Sequence, residues 1–437
     1  MAFDLLRAVD ERQAYANLAL PPMLRERGLT GRDAAFATEL GYGTLRGLGT
    51  YDAVLAACVD RPLDQVDAPV LDVLRLGAHQ SLAMRVPPHA AVGATVELAR
   101  AVLGESRGSF VNAVLRRVGG RDLSAWLAEV APTYDEEPLG HLAVVHSHPR
   151  WVVSALRDAL GGSLQETAAV LAADNLPPKV TLVARPGRAD LAELVAGGAR
   201  PGAWSPYAAV LGGGDPAALP AVRQSRAGVQ DEGSQLVALA LAAAPLEGRD
   251  RRWLDMCAGP GGKSALLGAL AGDRGAALLA TEIAPHRAGL VRRAVGSDAT
   301  VVVADARVPV YGDGAFDRVL LDAPCTGLGA LRRRPEARWR RTPEHVSPLA
   351  ALQRALLGRA LNAVRPGGLV AYAVCSPHLA ETRAVVADAL RRHDDVRRED
   401  ARPLFPGVPD LGDGPDVQLW PHRHGTDAMF LSLLRRH

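Results

Sequence analysis

The spacing of apolar positions changes along the chain. Over residues 2–118 apolar side chains recur at intervals of three and four, which predicts a bundle of helices. Residues 119–138 are polar, with paired glycines and an acidic triplet, which is typical of a linker. After residue 230, apolar runs of strand length alternate with helical patterns. This alternation predicts a parallel sheet with helices on both faces.

We therefore predict a multidomain protein. The chain has 437 residues, which exceeds the size at which a single core usually stops growing. The expected parts are an all-α helical domain over 1–138, a small α+β linking domain over 139–228 and an α/β domain over 229–437. The strands of the last domain are predicted at 253–256, 277–281, 300–304, 319–321 and 369–374.

Composition excludes several classes of protein. Hydrophobic residues make up 48% and charged residues 22%, close to the average of soluble proteins, and no apolar run reaches the roughly 20 residues of a membrane span. The start of the chain lacks a secretory signal, so we expect a cytoplasmic monomer without membrane contact. The four cysteines lie far apart, which predicts free thiols and no metal site. The net charge of +2 is too small to indicate nucleic acid binding by itself.

A glycine-rich turn lies at residues 254–264, LDMCAGPGGKS. A strand end, a glycine turn and a helix start in direct succession form a pocket for a nucleotide. A phosphate-binding P-loop would need glycine at Cys257, and a dinucleotide fingerprint would need glycine at Ser264. A nucleoside without a pyrophosphate remains, and S-adenosylmethionine is the natural candidate.

Acidic residues follow the next three predicted strands. They are Glu282, Asp305 and Asp322, and the carboxyl ends of parallel strands meet at one edge of a sheet. Glu282 can accept from both ribose hydroxyls, and Asp305 from the adenine amino group. One such acid is as often a helix cap, but three after one glycine turn indicate a cofactor pocket. The predicted cofactor-binding residues are Cys257, Ala258, Gly259, Pro260, Gly261, Gly262, Lys263, Glu282, Arg287, Asp305 and Asp322.

Two cysteines stand at the ends of the fourth and fifth of these strands. Cys325 closes the sequence DAPC, and Cys375 directly follows the strand 369–374, so both thiols are expected to face one crevice. A thiolate that adds to carbon 6 of cytosine makes carbon 5 able to take a methyl group, and Asp322 is placed to hydrogen-bond ring nitrogen 3. We also predict that Ser376 caps, and Pro377 opens, a helix whose positive end lowers the pKa of Cys375.

These motifs resemble the Sun/Fmu family of RNA cytosine-5 methyltransferases over essentially the whole chain. The family motif CAxPGGK corresponds to residues 257–263, its cofactor acids fall on Glu282 and Asp305, and its DAPC motif is present in full. The resemblance implies a NusB-like helical N-terminal domain and a Rossmann-like domain that uses S-adenosylmethionine. It also implies that Cys375 is the nucleophile and that Cys325 assists release of the product.

The resemblance further implies RNA, above all small-subunit (16S) ribosomal RNA, as the substrate. Residues 331–341, LRRRPEARWRR, place six arginines just past Cys325, which predicts contacts to an RNA backbone. The alternative for this run is a solvated surface helix. On the helical domain, Arg116, Arg117 and a turn predicted at 47–51 are further candidates for RNA contact.

Two other functions remain open on the sequence. One is a DNA cytosine methyltransferase with Cys325 as the nucleophile. The other is an RNA-binding assembly factor without turnover, since Val374 stands where the family has a threonine. Other departures from the family pattern are Thr382, Ala428 and Met429.

Overall fold

The computed structural model describes residues 1–308 and 310–437, which form two compact units. The first unit comprises Met1–Pro177 and the segment Leu331–Arg341, and the second comprises Pro178–Ala330 and Thr342–His437. The first unit thus extends past the linker predicted at 119–138, and the division into three domains stays a prediction. No helix within the described residues combines the length and apolar character needed to cross a membrane.

The first unit is helical, as the three-and-four spacing predicted. Helix Gly31–Cys58 buries Val54, Leu55 and Cys58 in the same apolar cluster as Leu74 of the helix Ala68–Leu82. Burial of such faces supplies most of the stability of these helices. The α-helices are Ala2–Glu11, Ala16–Glu26, Gly31–Cys58, Ala68–Leu82, Pro88–Leu103, Glu105–Val118, Leu123–Val130, Pro138–Val145, Arg150–Ala159, Leu164–Asp174 and Ala337–Arg340, with a 3-10 turn at Leu63–Gln65.

The turn predicted at 47–51 is wrong, because these residues lie inside the long helix Gly31–Cys58. Tyr51 is buried, and its hydroxyl hydrogen-bonds Nδ1 of His79 at 2.8 Å. Burial lowers the pKa of His79 to about 4, so the imidazole is neutral at physiological pH. Arg117 donates to the carbonyl oxygen of Cys58 at 2.9 Å. Tyr51 therefore serves the core, and Arg117 ties two helices together.

The arginine-rich segment Leu331–Arg341 lies among the helices of the first unit. Arg338 is 0% exposed, and its guanidinium donates to three backbone carbonyl oxygens and to Oδ1 of Asn175 at 2.7–3.1 Å. Arg340 donates to three further carbonyl oxygens of the same unit. The prediction that these arginines contact an RNA backbone is wrong for Arg338, and for the partly exposed Arg340 it stays a prediction. Sequence alone does not distinguish an arginine that pairs with carbonyls from one that pairs with phosphates.

An Arg338→Ala substitution is expected to destabilise the protein by about 3 kcal/mol or more, because it leaves several buried acceptors without a donor. Urea unfolding of the full chain, followed by far-ultraviolet circular dichroism, measures the loss. Arg341, on the same segment but partly exposed, provides the control: its replacement by alanine should change the free energy of unfolding by no more than about 0.5 kcal/mol. Equal stability of the two variants would contradict a structural role for Arg338.

The second unit begins with a small antiparallel sheet. Its strands are β1 (Val180–Ala184), β2 (Ala199–Pro201), β3 (Ala208–Leu211) and β4 (Ala227–Val229), in the order β2-β3-β1-β4. Alternate side chains such as Leu182 and Ala209 are fully buried on one face. Short helices at Leu191–Ala196 and Pro220–Arg223 and a 3-10 turn at Pro216–Ala218 accompany the sheet.

A larger sheet of eight strands forms the rest of the second unit. Its strands are β5 (Arg252–Asp255), β6 (Ala277–Glu282), β7 (Ala299–Val303), β8 (Phe316–Asp322), β9 (Val364–Val374), β10 (Val396–Glu399), β11 (Val417–Gln418) and β12 (Phe430–Arg436). The order is β10-β12-β9-β8-β5-β6-β7, with β11 paired to β12. Strands β5 to β9 run parallel and confirm the five predicted strands. The antiparallel strands β10, β11 and β12 were not predicted.

Helices cover both faces of this sheet, as predicted. Trp253 and Leu320 pack on one side with the helices Glu232–Ala243 and Gly262–Asp273. Leu254 and Val319 are the chain neighbours of Trp253 and Leu320, and they pack on the other face of the sheet with the helices Val346–Ala363 and Arg383–Arg392. The remaining helices are Pro285–Val295, Val346–Ala363, Arg383–Arg392 and Pro421–His424, with 3-10 turns at Leu328–Ala330, Pro343–His345 and Arg402–Leu404.

The central strands β5, β8 and β9 are neighbours, and their carboxyl ends lie at the same edge of the sheet, with β8 running two residues past β5. Asp255 pairs in register with Leu320, and Asp322 pairs with Ala373. The loops that follow these three strands therefore begin at the same edge of the sheet. The glycine turn, the DAPC sequence and Cys375 all stand on these loops, as the parallel-sheet prediction required.

Candidate active site

The glycine turn joins β5 to the helix Gly262–Asp273. The amide of Gly259 donates to Oε2 of Glu282 at 3.0 Å, and a Cβ on Gly259 would lie 2.3 Å from that oxygen. Gly261 adopts a φ of +111°, and a Cβ there would lie 2.8 Å from the side chain of Ala294. Glycine is therefore required at Gly261, and a side chain at Gly259 would displace Glu282 and Arg287. The turn leaves the first amides of the helix directed towards the edge of the sheet.

Glu282 and Arg287 brace this turn. Glu282 is 3% exposed, and its second oxygen, Oε1, accepts from the amide of Ala284 at 3.0 Å. Arg287 donates through Nη2 to the carbonyl oxygen of Gly259 at 2.6 Å and lies 3.4 Å from Oε2 of Glu282. The structure thus brings together the turn and two of the side chains that were predicted beside it.

Asp305 follows β7, the strand beside the one that carries Glu282. Its carboxylate accepts from the guanidinium of Arg307 at 2.6–3.0 Å, and this hydrogen bond lowers the pKa of Asp305. The described contacts of Asp305 are made with Arg307 and not with the glycine turn. Its role in holding a cofactor therefore stays a prediction.

Lys263 links the glycine turn to the DAPC loop. Its Nζ donates to Oδ2 of Asp322 at 2.9 Å, and both side chains are largely shielded from solvent. Burial works against the ammonium group, but the carboxylate of Asp322 outweighs it and raises the pKa of Lys263. The pair places a buried positive charge between the predicted cofactor turn and the predicted reacting groups.

Asp255, at the tip of β5, is a site residue that the sequence reasoning missed. It is 1% exposed, and burial raises its pKa to about 7, although Oδ2 accepts from Ser264 Oγ at 2.6 Å. The other oxygen, Oδ1, is buried without a hydrogen-bond partner among the described residues. The signal was available, since Asp255 ends a strand as Glu282 does. A buried carboxyl with a raised pKa beside the turn is a ready partner for a polar group of a ligand.

Cys325 and Cys375 lie in contact, with their sulfur atoms 3.5 Å apart. The hydrogen bond between the thiols raises the pKa of Cys325 and lowers the pKa of Cys375. Burial and Asp322 oppose ionisation of Cys375, whereas the ammonium group of Lys263 favours it. The ammonium group of Lys263 therefore favours a negative charge on Cys375, with Cys325 as its hydrogen-bond partner.

The helix that was expected to lower the pKa of Cys375 does not begin beside it. Helix Arg383–Arg392 has Thr382 as its N-cap, seven positions after the cysteine. Ser376 does not cap a helix either, because its hydroxyl donates to the carboxylate of Glu381 at 2.6 Å. The prediction of a helix-dipole effect is wrong. The thiol of Cys325 and the charge of Lys263, rather than a helix dipole, lower the pKa of Cys375.

A Lys263→Met substitution is expected to raise the pKa of Cys375, because it removes a cation and leaves the opposing carboxylate of Asp322 unpaired. The thiolate fraction at neutral pH falls, and alkylation of Cys375 by iodoacetamide slows by about tenfold or more. Mass spectrometry of the alkylated peptide across pH measures the rate at this thiol. Lys179→Met, at the other lysine of the chain, is the control. An unchanged pH profile would show that Lys263 does not act on the thiol.

Three loops interlock behind the thiols. The amide of Gly329 donates to the carbonyl oxygen of Cys375 at 2.9 Å, and the amide of Ala428 donates to the carbonyl oxygen of Gly329 at 2.8 Å. A Cβ on Gly329 would lie 2.2 Å from the carbonyl oxygen of Ala428, so only glycine fits. The loop before β12 thereby joins the site, which the sequence reasoning did not predict.

The third cysteine of this edge, Cys257, is held as a neutral thiol. Burial raises its pKa well above the ordinary value, and the neighbouring carboxylates of Asp255 and Asp322 act in the same direction. Within residues 1–308 and 310–437, no group of three or more His, Cys, Asp or Glu side chains is arranged to hold a metal ion. The chemistry carried by these residues is that of two thiols in contact and a Lys–Asp pair.

Comparison with known proteins identifies the family. The model described as 16S rRNA methyltransferase RsmB/F matches residues 240–435, and the NusB family model matches residues 1–119. A Mycobacterium tuberculosis (strain ATCC 25618 / H37Rv) protein, named as a putative methyltransferase, is 55% identical over 440 residues, which cover 100% of this chain and 95% of that protein. Ribosomal RNA small subunit methyltransferase B of Salmonella enteritidis PT4 (strain P125109) is 32% identical over 419 residues, covering 93% of this chain and 92% of that protein.

A solved structure supports the fold over nearly the whole chain. The crystal structure of PH0851 has a TM-score of 0.80 and 21% sequence identity, and the match covers 96% of this chain and 94% of that chain. The matches confirm the predicted NusB-like helical domain and the predicted methyltransferase fold. The chain therefore belongs to the 16S rRNA methyltransferase RsmB/F family, whose members use S-adenosylmethionine as the methyl donor.

Proposed function

We propose that the protein methylates carbon 5 of a cytosine in small-subunit ribosomal RNA, through a covalent adduct on Cys375. The observation that carries the proposal is the pair of sulfur atoms 3.5 Å apart, in which Cys375 has the lowered pKa and Cys325 the raised one. A reaction that needs a nucleophile and, later, a separate group to handle a proton suits such a pair. Relatives named for ribosomal RNA of the small subunit favour that substrate.

The residues at the sheet edge fit the cofactor. The glycine turn at 257–263, the buried Glu282 and its partner Arg287 would hold the nucleoside part. Oδ1 of Asp255, unpartnered among the described residues, would accept from a polar group beside the helix start, and Asp305 would complete the adenine end. When bound, S-adenosylmethionine supplies the methyl group.

The protein's own groups then divide the work. The Cys375 thiolate forms a bond to carbon 6 of the cytosine, and the electron pair of the double bond between carbons 5 and 6 moves into the ring towards nitrogen 3. The hydrogen-bonded pair of Asp322 and Lys263 supplies a proton to nitrogen 3. Once carbon 5 carries the methyl group, its proton must leave. Cys325 first gives up its own proton to solvent, and its thiolate then takes the proton from carbon 5. The electron pair of that carbon–hydrogen bond forms the double bond between carbon 5 and carbon 6, the bond between carbon 6 and Cys375 breaks, and the thiolate of Cys375 is regenerated.

The helical unit would contribute RNA binding. Its N-terminal part matches the NusB family model, and we propose that it docks the ribosomal RNA in the cytoplasm so that an unstacked cytosine reaches Cys375. A base within a regular duplex cannot present carbon 6 to a thiol. The target is therefore a loop or a ribosomal RNA segment that has not yet been assembled.

Methyl transfer to defined nucleic acids tests the proposal. Unmodified small-subunit ribosomal RNA and DNA of the same sequence are incubated with the protein and isotope-labelled S-adenosylmethionine, and the digested nucleosides are separated by mass spectrometry. We expect labelled 5-methylcytidine from the RNA and none from the DNA. Label in the DNA alone would favour a DNA methyltransferase. RNA binding without label in any nucleoside would favour an assembly factor.

A further inference from the structure

A buried carboxylate lies behind the two thiols. Glu381 is 0% exposed and precedes the helix Arg383–Arg392. Its Oε1 accepts from the amide of Thr326 at 2.8 Å and from Nε2 of Gln353 at 3.1 Å. Its Oε2 accepts from the hydroxyls of Thr326 and Ser376 at 2.5 and 2.6 Å. Four hydrogen bonds compensate the burial of this group.

Two of these partners occupy equivalent places in the chain. Thr326 directly follows Cys325, and Ser376 directly follows Cys375. The two hydroxyls also lie 3.1 Å from each other. One carboxylate therefore ties together the residues that come after the two reacting thiols, and it does so from a side chain that does not itself reach the crevice.

The carboxylate is in turn fixed from the sheet. The hydroxyl of Tyr372, on β9, donates to the carbonyl oxygen of Glu381 at 2.5 Å, and Tyr372 is itself fully buried. Gln353 bridges from the helix Val346–Ala363 to Glu381 and also donates to the carbonyl oxygen of Pro324 at 2.8 Å. Glu381 thus connects both thiol loops to the core of the second unit.

We propose that Glu381 is the positioning residue that holds Cys325 and Cys375 at their contact distance, and that it thereby sets the rate at which the adduct is formed and released. The role in turnover rests on the proposed function. The role in geometry does not, because the separation of the two sulfur atoms can be measured without any nucleic acid.

Substitution by glutamine separates geometry from charge. In Glu381→Gln, the oxygen of the new side chain can accept from the amides of Thr326 and Gln353, and its amide nitrogen can donate to the two hydroxyls, since a hydroxyl also accepts. Glu381→Gln therefore keeps the ties and removes the charge, whereas Glu381→Ala removes both. Glu247→Gln changes an exposed glutamate of the same unit and serves as the matched control.

The rate at which an oxidant links the two thiols reports on the distance between their sulfur atoms. Diamide oxidises Cys325 and Cys375 to one disulfide and is itself reduced to the hydrazine, and the sulfur atoms must move from 3.5 Å to about 2 Å. We expect Glu381→Ala to slow the formation of this disulfide by at least about tenfold, and Glu381→Gln to stay within about threefold of the parent protein. Mass spectrometry of the linked peptides follows the reaction.

We expect the kcat for methylation to fall in the same order among the variants as the rate of disulfide formation. In methylation assays, Glu381→Ala lowers kcat by about tenfold or more and leaves KM for S-adenosylmethionine unchanged, and Glu381→Gln restores most of kcat. Ser376→Ala removes only one of the four hydrogen bonds to the carboxylate of Glu381 and provides a milder variant in case Glu381→Ala does not fold. It is expected to slow disulfide formation by a smaller factor.

The outcomes discriminate between roles. Disulfide formation at the parental rate in both Glu381→Ala and Ser376→Ala would overturn the proposal. Loss of turnover in Glu381→Gln with normal disulfide formation would also overturn it, because the charge and not the position would then matter. If the parent protein shows no methylation at all, the proposed function fails, yet the disulfide measurement still decides whether Glu381 sets the thiol geometry.

Discussion

A Cys375→Ser variant is expected to form no covalent complex with RNA and to lose methylation by about 10³-fold or more. Serine keeps the size of the side chain, but its hydroxyl does not ionise near neutral pH, so the group that would add to carbon 6 is absent. The environment cannot compensate. The thiol of Cys325 and the ammonium of Lys263 favour a charge on Cys375, and a serine hydroxyl carries none. Denaturing gels with labelled RNA show the adduct, and nucleoside analysis gives the rate.

Cys58→Ser is the matched control for this substitution. Cys58 is a buried thiol of the helical unit, and its replacement should leave the adduct and the methylation rate near those of the parent. Binding of S-adenosylmethionine by Cys375→Ser, measured by calorimetry, should also stay near the parental value. If the Cys375→Ser protein binds the cofactor and still forms the adduct, the nucleophile must be another residue.

Much of the sheet could be predicted because strands β5, β6, β8 and β9 carry two independent signals. Each is an apolar run of strand length, and each is followed by a turn and a helix, which is typical of a parallel sheet, whereas β7 carries only the apolar run. Strands β10 and β12 lack the second signal. Residues 396–399 read VRRE and form an edge strand, and residues 430–436 are a short run at the end of the chain whose periodicity does not separate strand from helix.

The errors in predicting the site arose where a property depends on contacts that form only in the folded chain. The residues on the ends of strands, such as Glu282, Asp322 and Cys375, could be placed from order alone, since parallel strands end at one edge. The source of the lowered pKa of Cys375 could not be predicted from the sequence, because it depends on the contact of two sulfur atoms and on the residue at which a helix begins. Glu381 carries four hydrogen bonds that only the folded chain brings together.

Arginine was the residue type on which sequence reasoning failed most clearly. The run at 331–341 has the charge density of an RNA-binding segment, and yet Arg338 is fully buried among carbonyl oxygens. A guanidinium has five donors and pairs equally well with carbonyl and phosphate oxygens. In a chain with only two lysines, arginines take structural roles as well as surface ones. Charge density is therefore a weak predictor of nucleic acid contacts in this protein.

A Cys325→Ser variant is expected to accumulate the covalent RNA complex that the parent protein forms only transiently. The serine hydroxyl can still donate to the sulfur of Cys375, so the charge on the nucleophile is retained and addition to carbon 6 proceeds. Release is impaired, because a hydroxyl is a far weaker proton acceptor than a sulfur atom that can ionise. We expect turnover to fall by about 10²-fold or more while the band of protein-linked RNA on a denaturing gel increases.

The double variant Cys325→Ser with Cys375→Ser gives the control for that band, since it should show none. If the assignment were reversed, Cys375→Ser would accumulate the complex and Cys325→Ser would form none. The proposed assignment predicts the opposite pattern, because the ammonium group of Lys263 favours a charge on Cys375. A thiol that holds its proton cannot begin the reaction, but once it has lost that proton it can accept the one that carbon 5 releases. The neighbouring ammonium group of Lys263 thus favours Cys375 as the sulfur that acts first.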